Sequence, residues 1–210
     1  MLLAVGAWAI AGKGDELAPR PSRERPAIAL VTSLPIVFGE RFSLDEGGSP
    51  ALDRLSQRYE VRPIGVADAA NLRGHRLLLM AHPRAQPASA LVELDQWVRG
   101  GGRLLLLADP KLDWPSERPF GDRLRPPPAF ADTGLLSHWG LELTGPAPME
   151  TAGRLTGKNC TILEDGFIAR CRIGRGKATV LADADFINVD ASSHDDLGIL
   201  AEELNLLESR

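Results

Sequence analysis

The chain has 210 residues, 44% of them apolar, with a formal net charge of −4 and basic residues scattered along its length. That length and apolar content support one large domain with a real core, or one domain with an appendage. The charge pattern excludes a basic nucleic-acid groove, and sixteen prolines and twenty-one glycines imply frequent turns and some long loops.

In chain order, MLLAVGAWAIAG (residues 1–12) is apolar and uncharged, and a polar, proline-rich stretch follows it up to residue 26. The run is shorter than the ~20 residues that span a bilayer and lacks the basic start of a signal peptide. It reads as a remnant of a membrane anchor or signal sequence, with a core strand or helix as the alternative; residues 13–26 read as a linker. A single domain is expected from residue 27 to residue 210.

AIALVTSLP (Ala27–Pro35) is a continuous apolar run of the kind that forms a buried parallel strand. FGERFSLDEGGSP is loop. ALDRLSQRYE places Leu52, Leu55 and Tyr59 at helical spacing, with Ser49 as cap and Pro50 at the first position. YEVRPI is a short strand, and RLLLMAHP a buried one ending at His82. PASALVELDQWVRGGG carries Leu91, Leu94 and Val98 on one stripe, and Gly100 is expected to end that helix as a left-handed cap. RLLLLADP is the next buried strand, so strand, helix and strand form a right-handed parallel crossover.

The segment KLDWPSERPFGDRLRPPPAF (Lys111–Phe130) is a long irregular loop of the kind that serves as lid, binding loop or partner surface. DTGLLSHWGLEL reads as a short helix capped by Asp132 and a return strand. CTILEDGFIARCRIG is a hairpin with Asp165-Gly166 as a two-residue turn. KATVLADADF is a further buried strand ending in acids, and DDLGILAEELNLLESR closes the chain as an amphipathic helix. The fold class is therefore α/β: a three-layer α/β/α sandwich with a mostly parallel sheet and a C-terminal β-hairpin.

The hairpin register puts Cys160 opposite Cys171, at a hydrogen-bonded position with Cα atoms about 5.5 Å apart, within disulfide range. A bond there implies an oxidising compartment; two reduced cysteines packed in a sheet are the alternative.

In an open parallel sheet, ligands bind beyond the C-terminal strand ends. This makes Ser33, His82, Asp109, Asp183 and Asp185 the ligand-binding candidates. Ser33, His82 and Asp109 could act as nucleophile, base and orienter, but Ser33 is not in a G-x-S-x-G elbow, and short polar residues at strand ends commonly shape turns. Asp183, Asp185, Asp190, His194, Asp195 and Asp196 offer metal-ligand types without metal-ligand spacing, and RGGGR and GRGK match no phosphate fingerprint. No catalytic residue, metal or cofactor is assigned.

RLLLMAHPRAQPASALVELDQWVRGGGRLLLLADP resembles the periplasmic domain of GldG-like auxiliary proteins of ABC-type transport and gliding-motility systems. The features are Ala81 to Pro83, Leu94 to Trp97, Gly101 to Arg103, and Asp109-Pro110; GRGKATVLADADF, from Gly174, is similar to a second recurring segment of that family. The resemblance implies a flavodoxin- or class I glutamine amidotransferase-like fold without the nucleophilic cysteine, since Asp109 and Pro110 stand at the corresponding turn. It implies a non-enzymatic, periplasmic, inner-membrane-associated domain with a protein partner in an ABC-type membrane complex. The competing expectation is a hydrolase or transferase working through Ser33, His82 and Asp109.

Overall fold

A computed structural model describes residues 18–38, 49–189 and 197–209. The apolar N-terminal run, the first part of the linker (residues 13–17), and Asp190, His194, Asp195 and Asp196 lie outside the described residues.

The four apolar runs are strands β1 (Ala27–Thr32), β3 (Leu77–Ala81), β4 (Arg103–Leu107) and β9 (Gly176–Leu181). Together with β2 (Glu60–Pro63), β7 (Cys160–Leu163) and β8 (Ile168–Ile173) they form one sheet in the order β2-β1-β3-β4-β9-β8-β7. The first five are parallel and the last two antiparallel. Strands β5 (Leu141–Thr144) and β6 (Arg154–Gly157) pair separately, so the expected return strand does not join the main sheet.

The runs are continuous because both faces are covered. A strand alternates its side chains, so Leu77 and Leu79 point one way and Leu78 and Met80 the other. The first face packs under α1 (Pro50–Arg58) through Leu55, and under α4 (Leu197–Glu208) through Leu200 and Leu204. The second packs under α2 (Ala88–Arg99) through Leu94 and Val98, and under α3 (Leu135–His138) through Leu136. Each fully buried leucine contributes about 1.5–3 kcal/mol relative to exposure. The result is a three-layer α/β/α sandwich.

Local signals act as the sequence implies in two places. Leu52 donates its N–H to Ser49 Oγ (3.3 Å) at the start of α1, with Pro50 in its first turn. Asp132 Oδ1 accepts from Gly134 and Leu136 (both 3.1 Å) ahead of α3, although the N-cap residue itself is Gly134.

Two other local expectations are corrected. Gly100 is right-handed (φ −72°), and Gly101 (φ +116°) holds the left-handed position. Gly101 donates to the Val98 carbonyl and Gly102 to the Trp97 carbonyl, so the left-handed turn falls one residue later, as this capping geometry requires. The β7–β8 turn occupies Glu164 to Phe167, with Glu164 (φ +48°) and Asp165 (φ +52°) both left-handed, and Leu163 faces Ile168. The wider loop keeps the parity, so Cys160 still faces Cys171. Their Cα atoms are 4.4 Å apart, the spacing of a non-hydrogen-bonded rather than a hydrogen-bonded pair. The two sulfurs stand at bonding distance across the edge strand.

The GRGK segment is structural. A Cβ on Gly176 would lie 2.0 Å from the Val98 carbonyl oxygen and 2.3 Å from that of Gly102. Only glycine lets β9 start against the end of α2.

Candidate functional site

Parallel strands deliver their C-terminal ends to one edge of the sheet. Ser33 follows β1, His82 follows β3, Asp109 lies two residues beyond β4, and Asp183 and Asp185 follow β9. All five candidates therefore share one rim, as strand direction alone requires. Their hydrogen bonds decide what that rim can do.

Ser33 donates its hydroxyl to the backbone carbonyl of His82, not to its ring. His82 is fully buried and left-handed (φ +44°). Its Nε2 lies 2.9 Å from the Pro127 carbonyl oxygen, which can only accept, so Nε2 carries the proton. Nδ1 is buried without a partner among the described residues. Burial holds this imidazole below its ordinary pKa, the Pro127 carbonyl opposes that, and nearby Arg84 reinforces it. His82 is a neutral ring that pins the proline-rich loop over the end of β3.

Asp109 is also buried, at 1% exposure. Its Oδ1 accepts the Lys111 N–H (2.7 Å) and its Oδ2 the Ala184 N–H (3.1 Å). The carboxylate thus ties the turn after β4 to the turn after β9. Burial pushes its pKa up to about 7; the two N–H donors oppose that, and the Asp185 and Asp183 charges add to it. Asp185 accepts the Asp113 N–H at 3.0 and 3.1 Å, and burial lifts its pKa to about 6. Asp183 Oδ1 accepts the Asp185 N–H at 2.7 Å. Asp109, Asp183 and Asp185 each bring one oxygen within 4.8 Å of the others, close enough for a cation to bridge. Each also serves a backbone donor, which is how carboxylates close tight turns.

The hydroxyl, imidazole and carboxylate form no hydrogen bond with one another. Ser33, His82 and Asp109 share the rim without building the relay that nucleophilic catalysis needs. The sequence reading found the acids but not their convergence, nor the Pro127 carbonyl. No local signal encodes a contact spanning 45 residues.

The loop Lys111–Phe130 is tethered. Leu112 donates to the Pro128 carbonyl (2.9 Å), Phe130 to that of Asp109 (2.6 Å), and Arg84 to those of Arg123 and Arg125. At its tip, Phe120 is 83% and Leu124 65% exposed, and the Arg125 guanidinium stacks 4.2 Å from the Phe120 ring centre.

A family model described as an ABC-type uncharacterized transport system matches residues 25–145, from β1 to β5. No curated protein matches the chain. Among solved structures, the mmIFT52 N-terminal domain is similar at a TM-score of 0.60 and 13% identity, over 88% of this chain and 98% of that one. That likeness shows the fold alone. The exo-beta-1,4-mannosidase Op5Man5 from Opitutaceae bacterium strain TAV5 aligns at a TM-score of 0.48 and 12% identity, over 89% of this chain and 36% of its own, too distant to carry an argument.

Proposed function

The chain belongs to the family described as an ABC-type uncharacterized transport system, and from that premise we propose that it is a non-enzymatic auxiliary domain that binds a protein partner in an ABC-type membrane complex. The observation that carries the non-enzymatic reading is that Ser33 and His82 spend their protons on backbone carbonyls, while Asp109 accepts only backbone N–H groups. All three hold loops in place.

The contact surface is the tip of the Lys111–Phe130 loop. Phe120 and Leu124 stand exposed on a segment anchored at both ends, so partner binding there costs little ordering entropy. The finer reading is a GldG-like domain at the periplasmic face of the inner membrane. The facing cysteines support an oxidising compartment, and the apolar run at residues 1–12 supports a membrane-proximal origin. Among the described residues no helix is long and apolar enough to cross a membrane, so membrane proximity rests on that run and on the partner.

The test is photo-crosslinking in cells from position 120 or 124. The expected adduct is a membrane subunit of an ABC-type transporter, weakened from a probe at 120 when Leu124 is replaced by Ser and from a probe at 124 when Phe120 is. No adduct from either position, together with a hydrolase or transferase activity that Ser33→Ala abolishes, would overturn the reading.

A further inference from the structure

The parallel strands run in the order β2-β1-β3-β4-β9. The chain leaves β1 toward one edge of the sheet and leaves β3 toward the other, so the strand order reverses between them. In open α/β sheets the crevice outside such a reversal is where ligands seat. Beside it an open-mouthed cleft of about 440 Å³ lies beyond the ends of β1 and β2, with Arg84 of the segment after β3 among its lining residues; its volume is within the usual size of small-molecule sites.

Its floor is apolar for a definite reason. The polar side chains at the end of β1 are turned inward: Thr32 donates to the Ala81 carbonyl and accepts the Leu34 N–H, and Ser33 donates to the His82 carbonyl. What faces the cleft is the carbon surface of Leu34, Val37 and Ile64, with exposed Phe38 (68%) and Leu124 at the mouth. The rim is cationic. Arg84, Arg118 and Arg123 line it, and no carboxylate does among the described residues. Arg118 is paired with Asp122 at 3.6 Å. Arg84 and Arg123 have no acidic partner among the described residues. Arg84 is also fixed: its Nη2 donates to the carbonyls of Arg123 (2.7 Å) and Arg125, which leaves the rest of the guanidinium directed to no protein acceptor among those residues. A pre-positioned guanidinium beside an apolar wall recognises an anionic head carried on a hydrocarbon body.

We propose that the cleft beyond the ends of β1 and β2 binds a small amphiphile with one anionic head, carboxylate or phosphate, held by Arg84 and Arg123 and with its apolar body against Leu34, Val37 and Ile64. The cleft shares Leu124 with the loop-tip contact surface, but the ligand it takes does not depend on the transport reading.

The test is calorimetric titration of the full chain with four ten-carbon probes below their aggregation concentrations: decanoate, decyl phosphate, decanol and decyltrimethylammonium. At least one anion saturates a single site, and the tighter of the two identifies the head. Decanol and the cation bind about tenfold more weakly or worse. Raising the salt weakens the anions and leaves decanol unchanged. Arg123→Gln, on an exposed side chain, weakens the anion about tenfold, the loss of one charge-assisted contact, with an unchanged thermal midpoint. Arg84→Gln does the same, and if it also loosens the loop, Arg123→Gln still decides. Absence of saturable anion binding, equal affinity for decanol and decanoate, or anion affinity unaltered by Arg123→Gln would each overturn the proposal.

Discussion

Replacing Asp109 by Asn reads out the charge state of the rim. The carboxyl is buried and its pKa is raised from an ordinary 3.8 to about 7. In the unfolded chain it is ionised throughout pH 5–8, whereas the folded protein binds a proton there until the pH passes about 7. The unfolded state binds fewer protons, so stability falls as pH rises. The contribution is fully present below pH 3.8 and is lost through pH 7. At 1.36 kcal/mol per pKa unit the whole loss is on the order of 4 kcal/mol, of which roughly 2–3 kcal/mol falls between pH 5 and pH 8.

Asn cannot titrate, and it offers one oxygen to the two N–H donors of Lys111 and Ala184. At pH 5 the variant should therefore be less stable by about 1–3 kcal/mol. At pH 8 that gap should have narrowed by roughly 2–3 kcal/mol, or reversed. Urea denaturation of both proteins at four pH values measures the gap. His82 acts in the opposite direction: its lowered pKa means stability is lost as pH falls through its ordinary titration range. That effect is common to both proteins and cancels in the difference. A gap that is flat with pH, or that widens toward pH 8, would refute the argument, because it would mean that the folded site does not disfavour the charged carboxylate.

Three further outcomes follow from packing. Glu203 on α4 is buried (1%) and accepts two hydrogen bonds from Arg170 on β8, one of them at 3.0 Å. Arg170→Ala should cost about 3–5 kcal/mol by stranding that carboxylate, and Glu203→Gln distinctly less; equal losses in chemical denaturation would contradict this. Gly176→Ala forces a Cβ to within 2.0 Å of a backbone oxygen, so a drop of several °C in melting temperature is expected, at the severe end for a single methyl; an unchanged midpoint would count against the close approach. Protein from an oxidising compartment should show no free thiol under denaturing conditions and two after reduction, and Cys160→Ala with Cys171→Ala should lower stability by about 3 kcal/mol; two free thiols before reduction would remove that support for export.

The sequence alone determined the local elements, because their causes lie within a few residues. Apolar runs too short for buried helices mark β1, β3, β4 and β9. Ser49 and Asp132 cap where their side chains reach nearby N–H groups. Hairpin parity sets Cys160 against Cys171 even though the turn has a different length from the expected one. Strand direction likewise places Ser33, His82, Asp109, Asp183 and Asp185 on one rim. Tertiary structure decided everything that depends on which distant segments meet. Strand order put the reversal between β1 and β3, and the segments that follow β1, β2 and β3 line the cleft beside it. The path of the proline-rich loop gave His82 a carbonyl 45 residues away and turned an imagined base into a tether. The meeting of the β4 and β9 turns made Asp109 a buried clasp with a raised pKa, which its place after a leucine run does not reveal. Arg84 and Arg123 carried no sequence signal, since an arginine on a loop acquires meaning only from the wall that folding sets beside it.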